Sequence, residues 1–209
     1  MVNIFLSYAR ADGAAAAETL RQEVTQMGFT VWQDVEQMRG GKAWREQLHD
    51  ALQGVDALLA LLTPGYVAST MCTWEWRSAL KLGRRVVPLL IAPCDIPDEL
   101  ARLHYHNLSD PNRYPLGLAT LARDLIELIP ATPPQPAVGA GAKYSIRGHR
   151  NTIIGEGATV IRVSGADASA LSQNILSTLA QLRANAGPHQ AEFDAVLREI
   201  SAQLGAVNR

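Results

Sequence analysis

The segment that decides the fold runs Val55-Asp-Ala-Leu-Leu-Ala-Leu-Leu62, with a polar side chain at one of its eight positions. A continuous apolar run of this length is typical of a parallel strand that is buried on both faces of a sheet. A second such run, Val86–Ile91, follows after a helical stretch and a glycine. Two buried strands separated by a helix predict parallel pairing through a right-handed crossover, and therefore an α/β protein.

The same alternation of strand and helix extends outward over the first 130 residues. Apolar side chains recur at helical spacing at Ala16, Leu20, Val24 and Met27, and Gly28 follows as a stop signal. We predict a sheet of five parallel strands with flanking helices. The strands are Val2–Ser7, Phe29–Trp32, Val55–Leu62, Val86–Ile91 and Tyr105–Leu108, and the later helices are Trp44–Leu52, Trp74–Leu82 and Leu116–Ile129.

Composition and charge exclude several classes of protein. The 209 residues carry 19 Lys and Arg against 20 Asp and Glu, so the formal net charge of −1 differs from that of a strongly basic nucleic-acid coat. No apolar run approaches the ~20 residues that a membrane span needs. Two cysteines do not make a disulfide framework, and the N-terminus lacks a basic and apolar leader. We therefore expect a cytoplasmic protein with no membrane or nucleic-acid partner.

Proline and glycine mark a change in the chain after residue 130. The segment Pro130–Pro136 is rich in proline, and Gly139-Ala-Gly141 follows it, which is typical of a linker. We predict a first domain at 1–130, a linker at 131–142 and a smaller unit at 143–209. In that unit a seven-residue repeat of β-branched residues and glycines predicts a short β-hairpin.

Two helices are predicted after the hairpin, each with an apolar stripe. A unit of this size has little core of its own, so the stripes either meet other copies of the chain or pack on the first domain. We interpret the unit as an oligomerisation module and keep packing on the first domain as the alternative. The stripes are Leu171, Ile175, Leu179 and Leu182, then Phe193, Val196, Leu197, Ile200 and Leu204.

Polar side chains gather where the predicted strands end. Arg10 and Asp12 follow the first strand, Asp34 and Glu36 follow the second, and Glu75 lies in the helix that follows the third. Ligands of open α/β sheets bind beyond the carboxyl ends of the strands. This arrangement therefore predicts a polar site on that edge of the sheet.

Three stretches resemble the TIR (Toll/interleukin-1 receptor) domain family over residues 1–130. Ile4-Phe-Leu-Ser-Tyr8, followed by Asp12, is similar to the family's first box. Gly28-Phe-Thr-Val-Trp-Gln-Asp34, then Gly41-Lys-Ala-Trp44, is similar to its second strand and BB loop. Thr63-Pro-Gly-Tyr-Val-Ala-Ser69, then Cys72-Thr-Trp-Glu75, is similar to its third strand and catalytic helix. The resemblance implies a flavodoxin-like TIR fold, to which the C-terminal hairpin and helices add a small appendage.

Enzymatic members of this family cleave the nicotinamide–ribose bond of NAD⁺, so the resemblance implies NAD⁺ as the substrate and no further cofactor. Their catalytic residue is a glutamate on the helix after the third strand, the position of Glu75 here. A guanidinium suits a pyrophosphate, which makes Arg10 a binding candidate. No cluster of Cys and His has ligand spacing, so we expect no metal. The candidate NAD⁺-binding residues are Ser7, Tyr8, Arg10, Asp34, Trp44, Ser69 and Cys72.

The resemblance also implies that the domain associates with other copies through the BB loop, from Asp34 to Lys42, and we add the C-terminal unit as a second contact. The function favoured is an NAD⁺ nucleosidase that is activated by self-association and acts in bacterial defence. Two alternatives stay open: a non-enzymatic scaffold for other TIR proteins, and a mimic of host TIR signalling. The product is linear ADP-ribose or a cyclic isomer.

Overall fold

The computed structural model describes residues 2–33, 44–129, 154–155, 158–159 and 165–207, with side chains described over 2–32, 48–129 and 169–207. Five strands of the first domain form one sheet in which every pair is parallel. The strands are β1 (Asn3–Ser7), β2 (Thr30–Gln33), β3 (Ala57–Leu62), β4 (Arg85–Leu90) and β5 (His106–Asn107).

The sheet has the order β2-β1-β3-β4-β5. This confirms the predicted five-stranded parallel sheet, and each strand lies within two residues of its predicted bounds. From β1 the chain moves outward to β2 and then returns to the other side of β1, where Ser7 pairs with Ala60 of β3. The direction of winding therefore reverses between β1 and β3, and such a reversal opens a crevice at the carboxyl ends of the two strands.

The helices in the first part of the chain are α1 (Ala14–Gln26), α2 (Trp44–Gln53), α3 (Pro64–Ala68), α4 (Thr70–Lys81), α5 (Asp98–Ala101) and α6 (Tyr114–Ile126). Sequence patterns had not indicated the short helices α3 and α5. Farther along, β6 (Ile154–Gly155) pairs antiparallel with β7 (Ala158–Thr159), as the repeat predicts. α7 (Gly165–Arg183) follows, then a 3-10 turn at Gly187–His189 and α8 (Gln190–Val207). Within the described ranges, no helix has the length and apolar character needed to cross a membrane.

Alternation along the strands sends side chains to two separate cores. Ile4 and Leu6 of β1 belong to a core that includes α1 and α6. Phe5 belongs to the opposite core, with side chains of α2, α3 and α4. All six residues of β3 are buried, which is the pattern of a strand covered on both faces.

Both C-terminal helices pack on the first domain. Ile175 and Leu179 of α7 and Phe193 and Ile200 of α8 are fully buried in the same core as the side chains of α1 and α6. α8 contacts α6, and α7 contacts both α1 and α6. The interpretation that these stripes meet other copies of the chain is therefore wrong for these side chains, because α1 and α6 supply the apolar partners. The predicted linker at 131–142 lies outside the described residues.

The turn after α1 shows how closely α7 approaches. Gly28 has a φ of +96° and donates its backbone N–H to the carbonyl of Thr25, so it ends α1 as the sequence predicts. A Cβ at this position would lie 2.6 Å from Cδ1 of Leu171 in α7. The left-handed backbone is what favours glycine here, because the end of the Leu171 side chain could shift away from a Cβ.

A chain of polar contacts joins β5 to α6 and α6 to α8. The buried ring of His106 lies 2.9 Å from Oγ1 of Thr120 through Nδ1 and 3.1 Å from Oδ2 of Asp124 through Nε2. Arg123 lies beside Asp124 and also donates to Glu199 of α8 at 3.2 Å. Burial acts to raise the pKa of Asp124, but the hydrogen bond from His106 and the charges of His106 and Arg123 together hold it below its usual value.

The packing of α7 predicts a large loss of stability for Ile175→Ala. The substitution leaves a cavity in the shared core, and we expect the free energy of unfolding to fall by about 2–5 kcal/mol. Urea unfolding, monitored by circular dichroism, measures this free energy. Gln173→Ala is the matched control, because Gln173 is exposed on the same helix. An unchanged urea midpoint together with a smaller oligomer in light scattering would mean that the stripe faces other copies after all.

The lowered pKa of Asp124 predicts a pH-dependent contribution to stability. An unfolded aspartate titrates near about 3.9, so the contribution is fully present above that pH and is lost as the pH falls through the lower native pKa. We expect the stability difference between the native chain and Asp124→Asn to be largest near neutral pH and to shrink below about pH 4. Urea unfolding at a series of pH values, with the exposed Asp95→Asn as control, tests this. A difference that grows on acidification contradicts it.

Candidate active site

The segments that follow β1 and β3 lie at the carboxyl ends of these strands, where the reversal of winding predicts a crevice. After β3, Thr63 caps α3: its Oγ1 accepts the N–H of Tyr66 at 3.1 Å, and Pro64 occupies the first helical turn. Ser69 then caps α4, because its Oγ accepts the N–H of Cys72 at 3.2 Å. Caps of this kind satisfy backbone donors that a helix start leaves free. They fix the direction in which α4 leaves the crevice.

Glu75 lies on the inner face of α4. The buried residues of this helix are Cys72, Glu75, Trp76 and Ala79, which share one face by helical spacing. Glu75 shares this face with Cys72, Trp76 and Ala79, and it is only 4% exposed. A carboxylate in such surroundings needs hydrogen-bond donors, because burial without them strongly disfavours the charge.

Ser7 at the end of β1 supplies a donor. Its Oγ donates to Oε2 of Glu75 over 2.5 Å, which is in the range of charge-assisted hydrogen bonds. The Oη of Tyr66 lies 3.0 Å from the same Oγ. All three residues are buried, so the contacts form away from bulk water. The structure thus joins β1, α3 and α4 through one set of polar side chains.

Asp12 holds the start of α3 in place. Its Oδ1 accepts from the hydroxyl of Thr63 at 2.8 Å and its Oδ2 accepts from the N–H of Gly65 at 2.7 Å. A Cβ at residue 65 would lie 2.5 Å from Oδ1 of Asp12, so the carboxylate can approach this closely only because residue 65 is glycine. The loop after β1 is therefore tied to the helix that carries Tyr66.

Two shifted pKa values describe the electrostatics of this crevice. Burial raises the pKa of Tyr66 well above its usual value, and the electrostatic effect of Cys72 and Glu75 acts in the same direction. The Tyr66 hydroxyl thus keeps its proton. Burial, followed by the negative charges of Asp95 and Asp12, raises the pKa of the Cys94 thiol. A raised pKa disfavours the thiolate, so Cys94 is a poor nucleophile.

The structure brings four of the predicted site residues together. Ser7 touches Glu75 directly, and Ser69 and Cys72 lie at the start of the same helix. Ser69 acts as a helix cap, and Cys72 is buried against the sheet at 3% exposure. The hydroxyl of Ser7 donates to Glu75, so Ser7 lies where it can hold the carboxylate in position.

The remaining predicted residues divide into two groups. Tyr8 packs against the opposite core, on the side of α1 and α6, because neighbouring positions of a strand face opposite ways. Arg10 is exposed in the loop between β1 and α1. Asp34, the BB loop from Asp34 to Lys42 and the side chain of Trp44 lie outside the described residues, so their roles stay predictions.

Tyr66 is the residue that sequence reasoning missed. In the sequence this tyrosine stands out only as part of the stretch Thr63–Ser69 that resembles the family. A signal was present, since Thr63 followed by Pro64 is a typical helix start. A helix beginning there places a side chain of its first turns near the ends of both β1 and β3.

Two tryptophans near the site are packing residues. Trp32 of β2 stacks on Phe5 with ring centroids 4.8 Å apart. Trp76 is 2% exposed in the core beneath α4, and the guanidinium of Arg77 lies 5.1 Å from its ring centroid. Both indole rings are engaged by the protein itself.

The fold and the buried acid define an α/β domain whose polar site lies where the winding of a parallel sheet reverses. The sequence model of the family described as TIR domain matches residues 4–122, more than half of the chain. The chain therefore belongs to the TIR domain family, and the resemblance in its three sequence boxes is confirmed.

Among solved structures, the chain is similar to the crystal structure of the TIR domain of the Toll-related receptor TRR-2 from the lower metazoan Hydra magnipapillata. The match has a TM-score of 0.54 and 20% sequence identity, and it covers 58% of this chain and 96% of that chain. At this identity the likeness concerns the fold alone. It shows that this chain contains the fold of nearly the whole of that domain.

Proposed function

We propose that this chain is an NAD⁺ nucleosidase that cleaves the bond between nicotinamide and ribose, with Glu75 as its catalytic residue. The observation that carries the proposal is the position of Glu75: a carboxylate buried on the inner face of α4, beside the crevice between β1 and β3. Ionisable groups with such surroundings, placed at a cleft, are candidates for catalysis. The resemblance to enzymatic TIR domains assigns the same position to the catalytic glutamate.

The reaction itself explains why one carboxylate suffices. Glycosidases use a second acid to protonate a poor leaving group. Nicotinamide in NAD⁺ is a cationic pyridinium, so when the C1′–N bond breaks its electron pair returns to nitrogen and neutral nicotinamide departs. Positive charge then develops on the ribose, and a fixed carboxylate attracts it more strongly in the transition state than in the ground state. Water adds at C1′ and releases a proton, or an adenine nitrogen adds and gives a cyclic product.

The rest of the proposed site binds the dinucleotide. Arg10, exposed in the loop after β1, pairs with the pyrophosphate through its guanidinium. Asp34 and Trp44 are proposed to contact the substrate from the BB loop and the start of α2. By the family resemblance we further propose a cytoplasmic enzyme of bacterial defence.

The proposal predicts that Glu75→Gln abolishes most of the activity. Glutamine keeps the size of the side chain and an oxygen that accepts from Ser7, but its amide does not balance a developing cation. We expect NAD⁺ turnover to fall by about two orders of magnitude or more. Chromatography of the released nicotinamide measures the turnover, and circular dichroism confirms that the variant is folded.

Glu192→Gln is the matched control, because it makes the same chemical change at an exposed position of α8. We expect its turnover to equal that of the native chain. Full turnover in Glu75→Gln would refute the catalytic assignment. No turnover by the native chain at any concentration would instead favour the alternative function, a non-enzymatic TIR scaffold.

TIR domains associate with one another, and we propose that association raises the activity of this chain. In that case nicotinamide released per molecule per minute increases with protein concentration, in parallel with the mass measured by light scattering. Covalent crosslinking at low concentration should raise the rate toward the same limit. A rate per molecule that stays constant while the mass changes would show that the single chain carries a complete site.

A further inference from the structure

We propose that Ser7 and Tyr66 are positioning residues for Glu75, acting as a chain of two hydroxyl groups that keeps the carboxylate ionised and in one orientation. This inference deepens the proposed function, because it concerns the same acid. It rests on the distances from Tyr66 Oη to Ser7 Oγ, 3.0 Å, and from Ser7 Oγ to Glu75 Oε2, 2.5 Å.

The direction of the chain follows from counting protons. A serine hydroxyl has one hydrogen to donate, and Ser7 gives it to Glu75. The contact between Ser7 and Tyr66 is then a bond that Tyr66 donates. Both hydroxyls therefore point toward the carboxylate, and each bond strengthens the next by polarisation in a buried setting. The raised pKa of Tyr66 keeps this donor protonated over the working pH range.

Tyr66 is itself held from two sides. Its ring is 1% exposed in the core beneath α4, and its N–H is bonded to the capping oxygen of Thr63. Thr63 in turn donates to Asp12. Because the tyrosine has little freedom to turn, its hydroxyl stays aimed at Ser7. The loop after β1 thus supports the orientation of Glu75 through Thr63, Tyr66 and Ser7.

These donors matter because of where Glu75 lies. Burial on the inner face of α4 favours the uncharged carboxylic acid, whereas hydrogen bonds to the carboxylate favour the charged form. A protonated Glu75 has no charge with which to attract a ribosyl cation. Losing the hydroxyl of Ser7 should therefore make Glu75 harder to ionise.

The test follows the ionisation of Glu75 directly, without relying on turnover. The full chain is labelled with ¹³C at the glutamate side-chain carboxyls, and the Glu75 signal is identified by its loss in Glu75→Gln. The pH midpoint of this signal is then compared among the native chain, Ser7→Ala, Tyr66→Phe and the double variant. Each substitution removes a single oxygen, and thermal melting confirms that the variants are folded.

We expect the midpoint to rise by about one pH unit or more in Ser7→Ala, because a bond to the charged form is lost. Tyr66→Phe should give a smaller rise, since it acts only through Ser7. The midpoint of the double variant should match that of Ser7→Ala. Tyr66 acts on Glu75 only through the hydroxyl of Ser7, which both variants lack. Ser201→Ala and Tyr105→Phe, both at exposed positions, are the matched controls and should leave the midpoint unchanged.

A shift of less than about 0.3 pH unit in folded Ser7→Ala, or additive shifts in the double variant, would overturn the proposal. This outcome is independent of whether NAD⁺ is cleaved. If the native chain turns over NAD⁺, the acid side of its rate profile should move with the carboxyl midpoint while KM changes little. If the midpoints shift as expected but NAD⁺ is not cleaved, the positioning role stands and the proposed function fails.

Discussion

The pairing of β1 is the constraint on which the rest of the structure depends. This strand pairs with β2 on one side and β3 on the other, and its side chains alternate between two cores. Ser7 faces α4, as Phe5 does, whereas Leu6 between them faces the opposite core. A shift of one residue would send Leu6 toward Glu75 and Ser7 into the apolar core beneath α1 and α6. The buried surface on both faces opposes such a shift, so the same packing that stabilises the sheet also positions the donor for the acid.

The long elements of the fold were predictable because each repeats a local pattern. The strands of the sheet are short apolar runs, and α1 shows regular helical spacing. α3 and α5 have five and four residues, too few for a periodic pattern to emerge. The position of the C-terminal helices was not predictable from their own stripes, because a stripe shows that a partner exists and not which one. The partner is α6. Nine of its thirteen residues are buried, and they lie all around the helix, as expected for a helix with neighbours on every side.

The residues of the candidate site also differ in how far the sequence predicts them. Glu75 was identified from a resemblance in sequence, and the structure adds that it lies buried beside the end of β1. The structure adds that the hydroxyl of Ser7 donates to Glu75, while its contact with the substrate stays a prediction. Tyr66 meets Ser7 across 59 positions of sequence, and no local pattern indicates a contact of that range. The orientation of Tyr8 was available from the sequence, since adjacent residues of a buried strand do not share a face.

A buried carboxylate on α4 is an unfavourable choice for stability alone. An apolar side chain in the place of Glu75 would pack against Cys72, Trp76 and Ala79 without needing donors. The low polarity that disfavours the isolated charge also strengthens its attraction for a nearby cation, because little water screens the two. In the proposed reaction the substrate brings that cation, and charge moves from the pyridinium to the ribose as the bond breaks. The hydroxyls of Ser7 and Tyr66 keep the carboxylate charged before the substrate arrives, so no reorganisation is needed when the ribosyl cation forms.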